Sequence, residues 1–381
     1  MFTFKDIAVP LIGGSEQSQL NFHKELNKME KSAFDEDKIS AVHDLQGKEL
    51  HNGWHVIKKV EPKPGATGGN FSICYVVERD GQKGFLKAIN ILSFLRDKAP
   101  GLTEAMAELL NTFNYEKEIL TRCKNRNFSK VSRLLEASYD NFPGYLIANV
   151  YYMIFEKADG DVRAHLNFSG LVDNAWKLRS LHNIAVGLKQ LHSIDVSHQD
   201  LKPSNVFIFD QVTSKIGDLG RSLCENLESP HSNLHFAGDN RYAPPEIFHK
   251  YLLPEWKNRV YAIDIYLLGS MTCFYFTNLS MTALLSQKIN SEINILSLDF
   301  ENALPYWMNA FDKVIDEFEE HVEHIHKKEL LIEAMRMLCN PDPRKRGHFK
   351  NIRERGSNYN LERFVGIFNL LASTAEYQLT N

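Results

Sequence analysis

Asp200, Lys202, Asn205 and Asp218 fall within nineteen positions, in the stretches SHQDLKPSNVFIFD (197–210) and KIGDLG (215–220). Those residue types at that spacing suit phosphoryl transfer. One carboxylate can orient a hydroxyl, an ammonium can neutralise a moving phosphoryl group, and an Asn/Asp pair offers hard oxygen ligands to Mg²⁺. The runs VFIF and SKIG beside them read as two short strands, so the polar groups belong on the loops that flank a hairpin. A lone Asp-x-Gly carries no information; the compound string is highly specific.

A second set lies upstream. WHVIKKVEP and ICYVVER read as strands on either side of PKPGATGGNFS, and Asp80-Gly81 turns the chain into a third strand, GFLKAIN. A glycine-rich strand connection lets backbone amides approach phosphates, since no Cβ stands in the way. Lys87 interrupts the third strand with one cation. From Thr103 to Cys123, positions Met106, Leu109, Phe113, Glu116, Leu120 and Cys123 share one helical face with Glu116 as its single charge. A carboxylate on an apolar stripe is costly unless paired, and Lys87 is the obvious partner. Glu118 competes for that role but projects off the stripe.

The order His-x-Asp-x-Lys-x-x-Asn followed by Asp-x-Gly resembles the catalytic and metal loops of protein kinases, and the likeness runs from about residue 54 to 348. It implies an α+β, bilobal fold with a small β-rich N-lobe carrying one key helix and a larger, mainly α-helical C-lobe. The boundaries it suggests are an N-lobe (54–155) and a C-lobe (156–348), followed by a C-terminal helical extension (349–381); residues 1–53 carry no motif and read as a helical N-terminal extension packed on the N-lobe, with a mobile arm as the alternative.

By resemblance, Asp200 would orient or accept the substrate hydroxyl proton and Lys202 would stabilise the γ-phosphate charge. Lys87, positioned by Glu116, would contact the α- and β-phosphates. Asn205 and Asp218 would hold Mg²⁺, with Mn²⁺ a possible substitute. Gly68, Gly69, Asn70, Phe71 and Cys74 would line the ATP phosphates, although aligning on Phe71 puts the three family glycines at Thr67, Gly69 and Ser72, so only the middle one is kept. Adenine would meet main-chain groups around Glu156 and Ala158, with Phe155 behind it, and Asp161 would reach the ribose. A Lys two positions after the catalytic Asp resembles the Ser/Thr-specific branch. FAGDNRYAPPEIF (236–248) resembles the end of an activation segment, with Glu246 anchored by Arg346. Asp264, read as opening the central helix, would accept catalytic-loop amides. The helix Asp173–His192 would deliver the chain to that loop, with His182 and His192 as packing or capping residues.

Two departures stand out. Gln199 replaces the usual Arg, and Asp239 replaces a threonine that ordinarily bonds the catalytic Asp and Lys. Gln199 and the GDNRYAPPE string look more like bacterial members of the family. Ser222, Ser229 and Ser232 are candidate autophosphorylation sites.

The bulk properties agree with a globular enzyme. The 381 residues carry a net charge of −4, with 43% hydrophobic and 24% charged positions, and an acidic balance argues against nucleic acid as the main partner. A protein substrate is expected, with no membrane partner. Five scattered cysteines without a Cys-x-x-Cys pair imply reduced thiols in the cytoplasm. The N-terminus lacks the apolar run of a secretory signal. The apolar stretch 262–285 is interrupted by Asp264, Thr272, Asn278 and Ser280, which favours a buried helix over a membrane span. His321, His324 and His326 in EFEEHVEHIHKK offer a transition-metal reading, with a solvated helix face as the simpler one. The basic run RKRGHFKNIRER reads as solvated and structural, and NLERFVGIFNLLASTAEYQ as a helix docked on the C-lobe.

Two other functions share these motifs. A small-molecule phosphotransferase on the same fold would use the Asp and Asn but generally lack Lys202 and the Glu246/Arg346 anchor. A partner-binding pseudokinase is weakened by the joint presence of Lys87, Glu116, Asp200, Asn205 and Asp218. Because Gln199 removes the Arg that normally receives an activation-loop phosphate, phosphatase-treated protein should keep its activity in a labelled-ATP assay. Inactivation by the phosphatase would contradict that reading.

Overall fold

The computed structural model describes residues 39–61, 72–93, 102–168, 172–290, 292–351 and 357–380. The chain forms two compact units, one running to Thr121 and taking in Arg133–Lys157, the other made of Arg122–Ser132 and everything from Ala158 onward.

The first unit is built on a five-stranded antiparallel sheet of β1 (His55–Val60), β2 (Ser72–Arg79), β3 (Gln82–Ile89), β4 (Leu134–Asn141) and β5 (Asn149–Glu156) in the order β1-β2-β3-β5-β4. Alternation along the strands sorts the side chains by face. Tyr75 and Val77 of β2, Leu86 and Ala88 of β3, and Tyr152 and Ile154 of β5 join one core with Trp54 and Val56. The opposite phase carries Cys74, Lys87 and Met153, which are consecutive cross-strand partners. The helix α1 (Leu102–Asn125) supplies Leu109, Phe113, Glu116, Leu120 and Cys123 as a buried stripe, and Glu118 is exposed. The Met106 side chain lies outside the described residues.

Of the extension expected over residues 1–53, positions 39–53 are described. They hold a helical Ile39, a short 3₁₀ turn, Ala41–His43, isolated bridges from Ser40 to Ile147 and from Glu49 to His55, and connecting turns. Ala41, Val42, Leu45 and Leu50 enter the sheet core beneath Trp54, and the Tyr75 hydroxyl donates to the Val42 carbonyl at 2.7 Å. Four apolar side chains are too few for an independent core but enough to cover one face of a sheet. Residues 1–38 of that expected extension lie outside the described residues.

The second unit starts with β6 (Gly160–Asp161), α2 (Val162–Phe168) and α3 (Asn174–His192). Asp173 caps α3 by accepting from the Trp176 amide at 2.7 Å. The strands β7 (Val196–Ser197), β8 (Val206–Phe209), β9 (Thr213–Ile216) and β10 (Leu223–Cys224) form two small sheets, β10-β7 and β6-β8-β9. The hairpin read from VFIF and SKIG is therefore present, with the catalytic-loop candidates between β7 and β8.

The helical remainder comprises α4 (Pro245–Phe248), α5 (Trp256–Thr277), α6 (Met281–Lys288), α7 (Phe300–His321), α8 (Lys328–Leu338) and α9 (Glu362–Thr380). The helix α5 is long and apolar enough to cross a membrane, yet 89% of its most apolar stretch is buried inside the protein. The apolar run 262–285 is not one helix, because Asn278 takes φ 60° and ends α5, and Ser280 caps α6 by accepting from the Ala283 amide. Asp264 lies in the middle of α5, two turns from its start, and not at its opening. The helix α7 ends at His321, so His324 and His326 fall beyond it, and no group of three or more potential metal ligands occurs among the described residues. All five cysteines are free thiols, and burial pushes Cys123 and Cys273 up to about 12, which makes them packing residues.

The C-terminal helix α9 packs on α3 through buried Phe364, Phe368, Leu371 and Ala372. The contact is edged by a bidentate Arg179–Glu376 pair, 2.7 Å at each of its two bonds, and by Lys189–Glu362. The apolar part should dominate. Phe368→Ala should lower stability by about 3–5 kcal/mol, whereas Arg179→Ala, whose ion pair is partly exposed, should cost about 1 kcal/mol or less. Urea unfolding of the two variants measures the difference, and equal losses would show that the ion pair holds the helix.

Candidate active site

Within the first unit, the Lys87 ammonium lies 3.7 Å from Glu116 Oε1. Lys87 is held by its place on β3 between Cys74 and Met153. Glu116 is only 8% exposed, so its charge needs the cation. Gly68, Gly69, Asn70 and Phe71 lie outside the described residues. Glu156 is committed locally, since its amide donates to the Arg133 carbonyl at 3.1 Å and its carboxylate accepts from the Arg133 amide at 2.8 Å.

In the second unit the catalytic loop is anchored from below by Asp264. This carboxylate has no exposed surface and accepts from the amides of His198 and Gln199, each at 2.9 Å, and meets His192 Nε2 at 2.8 Å. Burial pushes its pKa up, but the His192 contact, the Gln199 amide and the nearby His198 together outweigh that and hold it below the ordinary carboxylate range. His192 also stacks on Tyr261 at 3.8 Å between ring centroids. His192, read from sequence as packing or capping, is thus part of the support of the loop. No sequence pattern singles it out, because its partner is 72 positions away.

Above this anchor, the Asp200 carboxylate sits at the centre of a hydrogen-bond set. Lys202 Nζ approaches its two oxygens at 3.2 and 2.9 Å. The Asn205 amide nitrogen donates to the Asp200 carbonyl at 2.8 Å and to Oδ2 at 3.2 Å. The Asp239 amide donates to Oδ1 at 2.9 Å. His198 bridges to the metal-loop side, its Nε2 on the Gly217 carbonyl at 3.1 Å. Asp200, Lys202 and Asn205 are all at most 9% exposed.

These contacts bear on the Mg²⁺ expected at Asn205 and Asp218. Because the Asn205 nitrogen is spent on Asp200, its amide oxygen, which accepts from Ser204 Oγ at 3.4 Å, is the atom that would be offered to a metal. Asp218 adopts φ 61°, at the head of the 3₁₀ turn Leu219–Arg221. One amide oxygen and one carboxylate are a poor closed cage but fit Mg²⁺, which keeps waters and phosphate oxygens in its shell. Asp161, expected at a ribose, accepts from the Ala164 amide at 2.8 Å and so caps α2. Ala158 lies between β5 and β6 with no regular structure.

The end of the activation segment returns to the catalytic loop at Gly238. A Cβ there would stand 2.2 Å from the Gln199 carbonyl oxygen, so only glycine permits the approach that delivers the Asp239 amide to Asp200. The Asp239 carboxylate, where the family has a threonine, is paired with Arg241 at 3.0 and 2.6 Å and lies 3.7 Å from Lys202. Arg241 holds it down to about 2, against the opposing push of burial. Gln199 turns inward and donates to Ser197 Oγ at 2.7 Å and the Val260 carbonyl at 3.1 Å. Arg221 braces the segment by donating to the carbonyls of Ala237 and Gly238 at 2.7 and 3.2 Å. Arg221 and Arg241 were not singled out in the sequence; their flanking of DLG and YAPPE was the available signal. Of the candidate loop serines, Ser222 and Ser229 are buried and Ser232 is exposed.

Glu246 and Arg346 meet in the interior as a fork, 2.7 and 2.9 Å. Arg346 also donates to the carbonyls of Asn340 and Ala262, each at 3.0 Å, and stacks over Tyr266. All three nitrogens of a fully buried guanidinium thereby donate.

A family model of the protein kinase domain matches residues 69–355, and this chain belongs to that family. It is 28% identical over 163 residues to an Aurora kinase of Debaryomyces hansenii, covering 43% of this chain and 36% of that protein. It is 25% identical over 258 residues to LysM domain receptor-like kinase 10 of Oryza sativa subsp. japonica, covering 65% and 37%. Against mitogen-activated protein kinase 4 of Mus musculus it is 34% identical over 107 residues, covering 28% and 18%. The chain thus spans well under half the length of these curated relatives.

The fork predicts a specific pattern of stability. Arg346→Met leaves the Glu246 carboxylate buried without its partner and should cost about 3–5 kcal/mol. Adding Glu246→Leu should restore most of that loss in chemical denaturation. If the double variant is no more stable than the single one, the guanidinium matters for its other contacts and not for the pair.

Proposed function

We propose that this chain is an ATP-dependent protein kinase that transfers the γ-phosphate to Ser and Thr hydroxyls. The observation that carries the reading is the Asp200 carboxylate, oriented by Lys202, Asn205 and the Asp239 amide together. That arrangement fixes a proton acceptor and leaves a cation beside it. Catalysis is then positioning plus charge neutralisation.

Asp200 orients the attacking hydroxyl and takes its proton. Lys202 offsets the charge that develops on the transferred group, and the Lys87–Glu116 pair secures the ATP phosphates. Mg²⁺ held by Asn205 and Asp218 would supply further charge neutralisation at the phosphates, and Mn²⁺ could replace it. The Ser/Thr assignment rests on the Lys two positions after Asp200. Ser232, the exposed member of the loop serines, is the position we assign to any autophosphorylation. A cytoplasmic location is supported by five free cysteines.

The test is transfer from γ-labelled ATP, with Mg²⁺ and a generic basic protein as acceptor. Asp200→Asn and Lys87→Met should each lower transfer by about 10²-fold or more. Label incorporation that survives in both variants would remove the assignment, and transfer only to a small alcohol would favour a small-molecule phosphotransferase.

A further inference from the structure

The turn Gly238–Arg241 bears on which acceptor segment the enzyme takes. Its Asp239 amide touches Asp200 at 2.9 Å, so residues flanking a hydroxyl placed at Asp200 run close to this turn. The charges there are layered. The Asp239 carboxylate points inward, 15% exposed, between Lys202 at 3.7 Å and Arg241. The Arg241 guanidinium points outward, 63% exposed. Its Nε and one terminal nitrogen bond Asp239, its backbone carbonyl is tied to Ser280 at 3.2 Å, and its other terminal nitrogen has no partner among the described residues.

Arg221 repeats the arrangement on the neighbouring residues. It is exposed, with Nη1 shared between the carbonyls of Ala237 and Gly238. Two guanidiniums are therefore anchored on the turn whose Asp239 amide meets the catalytic carboxylate, Arg241 by Asp239 and Arg221 by the Ala237 and Gly238 carbonyls, while the compensating acid is covered. An arriving segment meets cations with hydrogen-bonding edges, a surface that favours carboxylates and repels ammonium groups.

We propose that Arg241, assisted by Arg221, selects acceptor segments with acidic side chains next to the phosphorylated hydroxyl and rejects basic ones. The proposal rests on the protein kinase reading and goes beyond it by naming the substrate class. Arg241 also neutralises the Asp239 carboxylate beside Lys202, so a variant there lowers turnover on every peptide alike, and the specificity readout is the ratio of kcat/KM among peptides within each variant.

The experiment uses the full chain with Mg²⁺ and ATP and three serine peptides that differ only in their flanking residues, Glu, Ala or Lys. The order of kcat/KM should be Glu above Ala above Lys, with roughly tenfold between the extremes, the size expected for surface charge pairs. The difference should lie in KM and shrink at high salt. Arg241→Glu should invert the order and Arg241→Gln should flatten it, with melting curves confirming that both variants fold. Equal kcat/KM for the three peptides in the unmodified protein overturns the proposal without any variant, as does an order unchanged by Arg241→Glu. Self-labelling without transfer to any peptide also overturns it and leaves the kinase reading standing. Absence of any labelled product overturns both.

Discussion

A carboxylate with no exposed surface, in the middle of an apolar helix, is tolerable only if its charge is met on every side. Asp264 satisfies that condition with two catalytic-loop amides and His192. The constraint runs both ways. The helix α5 cannot bury Asp264 unless the loop supplies its N–H groups, and the loop cannot hold Gln199 at φ 64° without a fixed acceptor beneath it. Stability of the helical unit and placement of Asp200 are therefore one interaction seen from two sides.

Above that anchor, charges alternate in sign from Asp200 to Lys202 to Asp239 to Arg241, with contacts of 2.9, 3.7 and 2.6 Å along the series. Alternation lets Asp200, Lys202 and Asp239 crowd together with little exposure, because each faces an opposite neighbour, while Arg241 closes the series at the surface. It also explains how a carboxylate can replace a threonine at 239. Repulsion from Asp200 is offset by Arg241, and the bond to Asp200 is made by the backbone, which any residue provides.

A similar economy appears in the sheet unit. One strand phase is closed by the chain's own residues 39–54, and the other is left to present Cys74, Lys87 and Met153. Lys87 is where it is because a period of two sends it to the face opposite Leu86 and Ala88.

Much of this was legible in the residues themselves. The hairpin beside the catalytic loop, the helical stripe with Glu116 and the helix ending at His192 follow from local periodicity, and the Glu246/Arg346 pair from the resemblance of its two segments to the kinase pattern. The break of 262–285 into two helices was missed because Asn278 can adopt a left-handed conformation without announcing it in an apolar run. The helix around His324 was overextended because Ile325 stays buried after the helix has ended, and burial alone mimics helical spacing.

What the chain determines by itself is the inventory and its local geometry, since dihedral preferences and side-chain periodicity act over a few residues. What only the tertiary structure decided is who pairs with whom across long separations. His192 joins Asp264, the Gly238 turn reaches Asp200, and Arg241 covers Asp239 while facing outward. Those outcomes depend on burial, which sets the cost of an unpaired charge, and burial exists only once distant segments have packed.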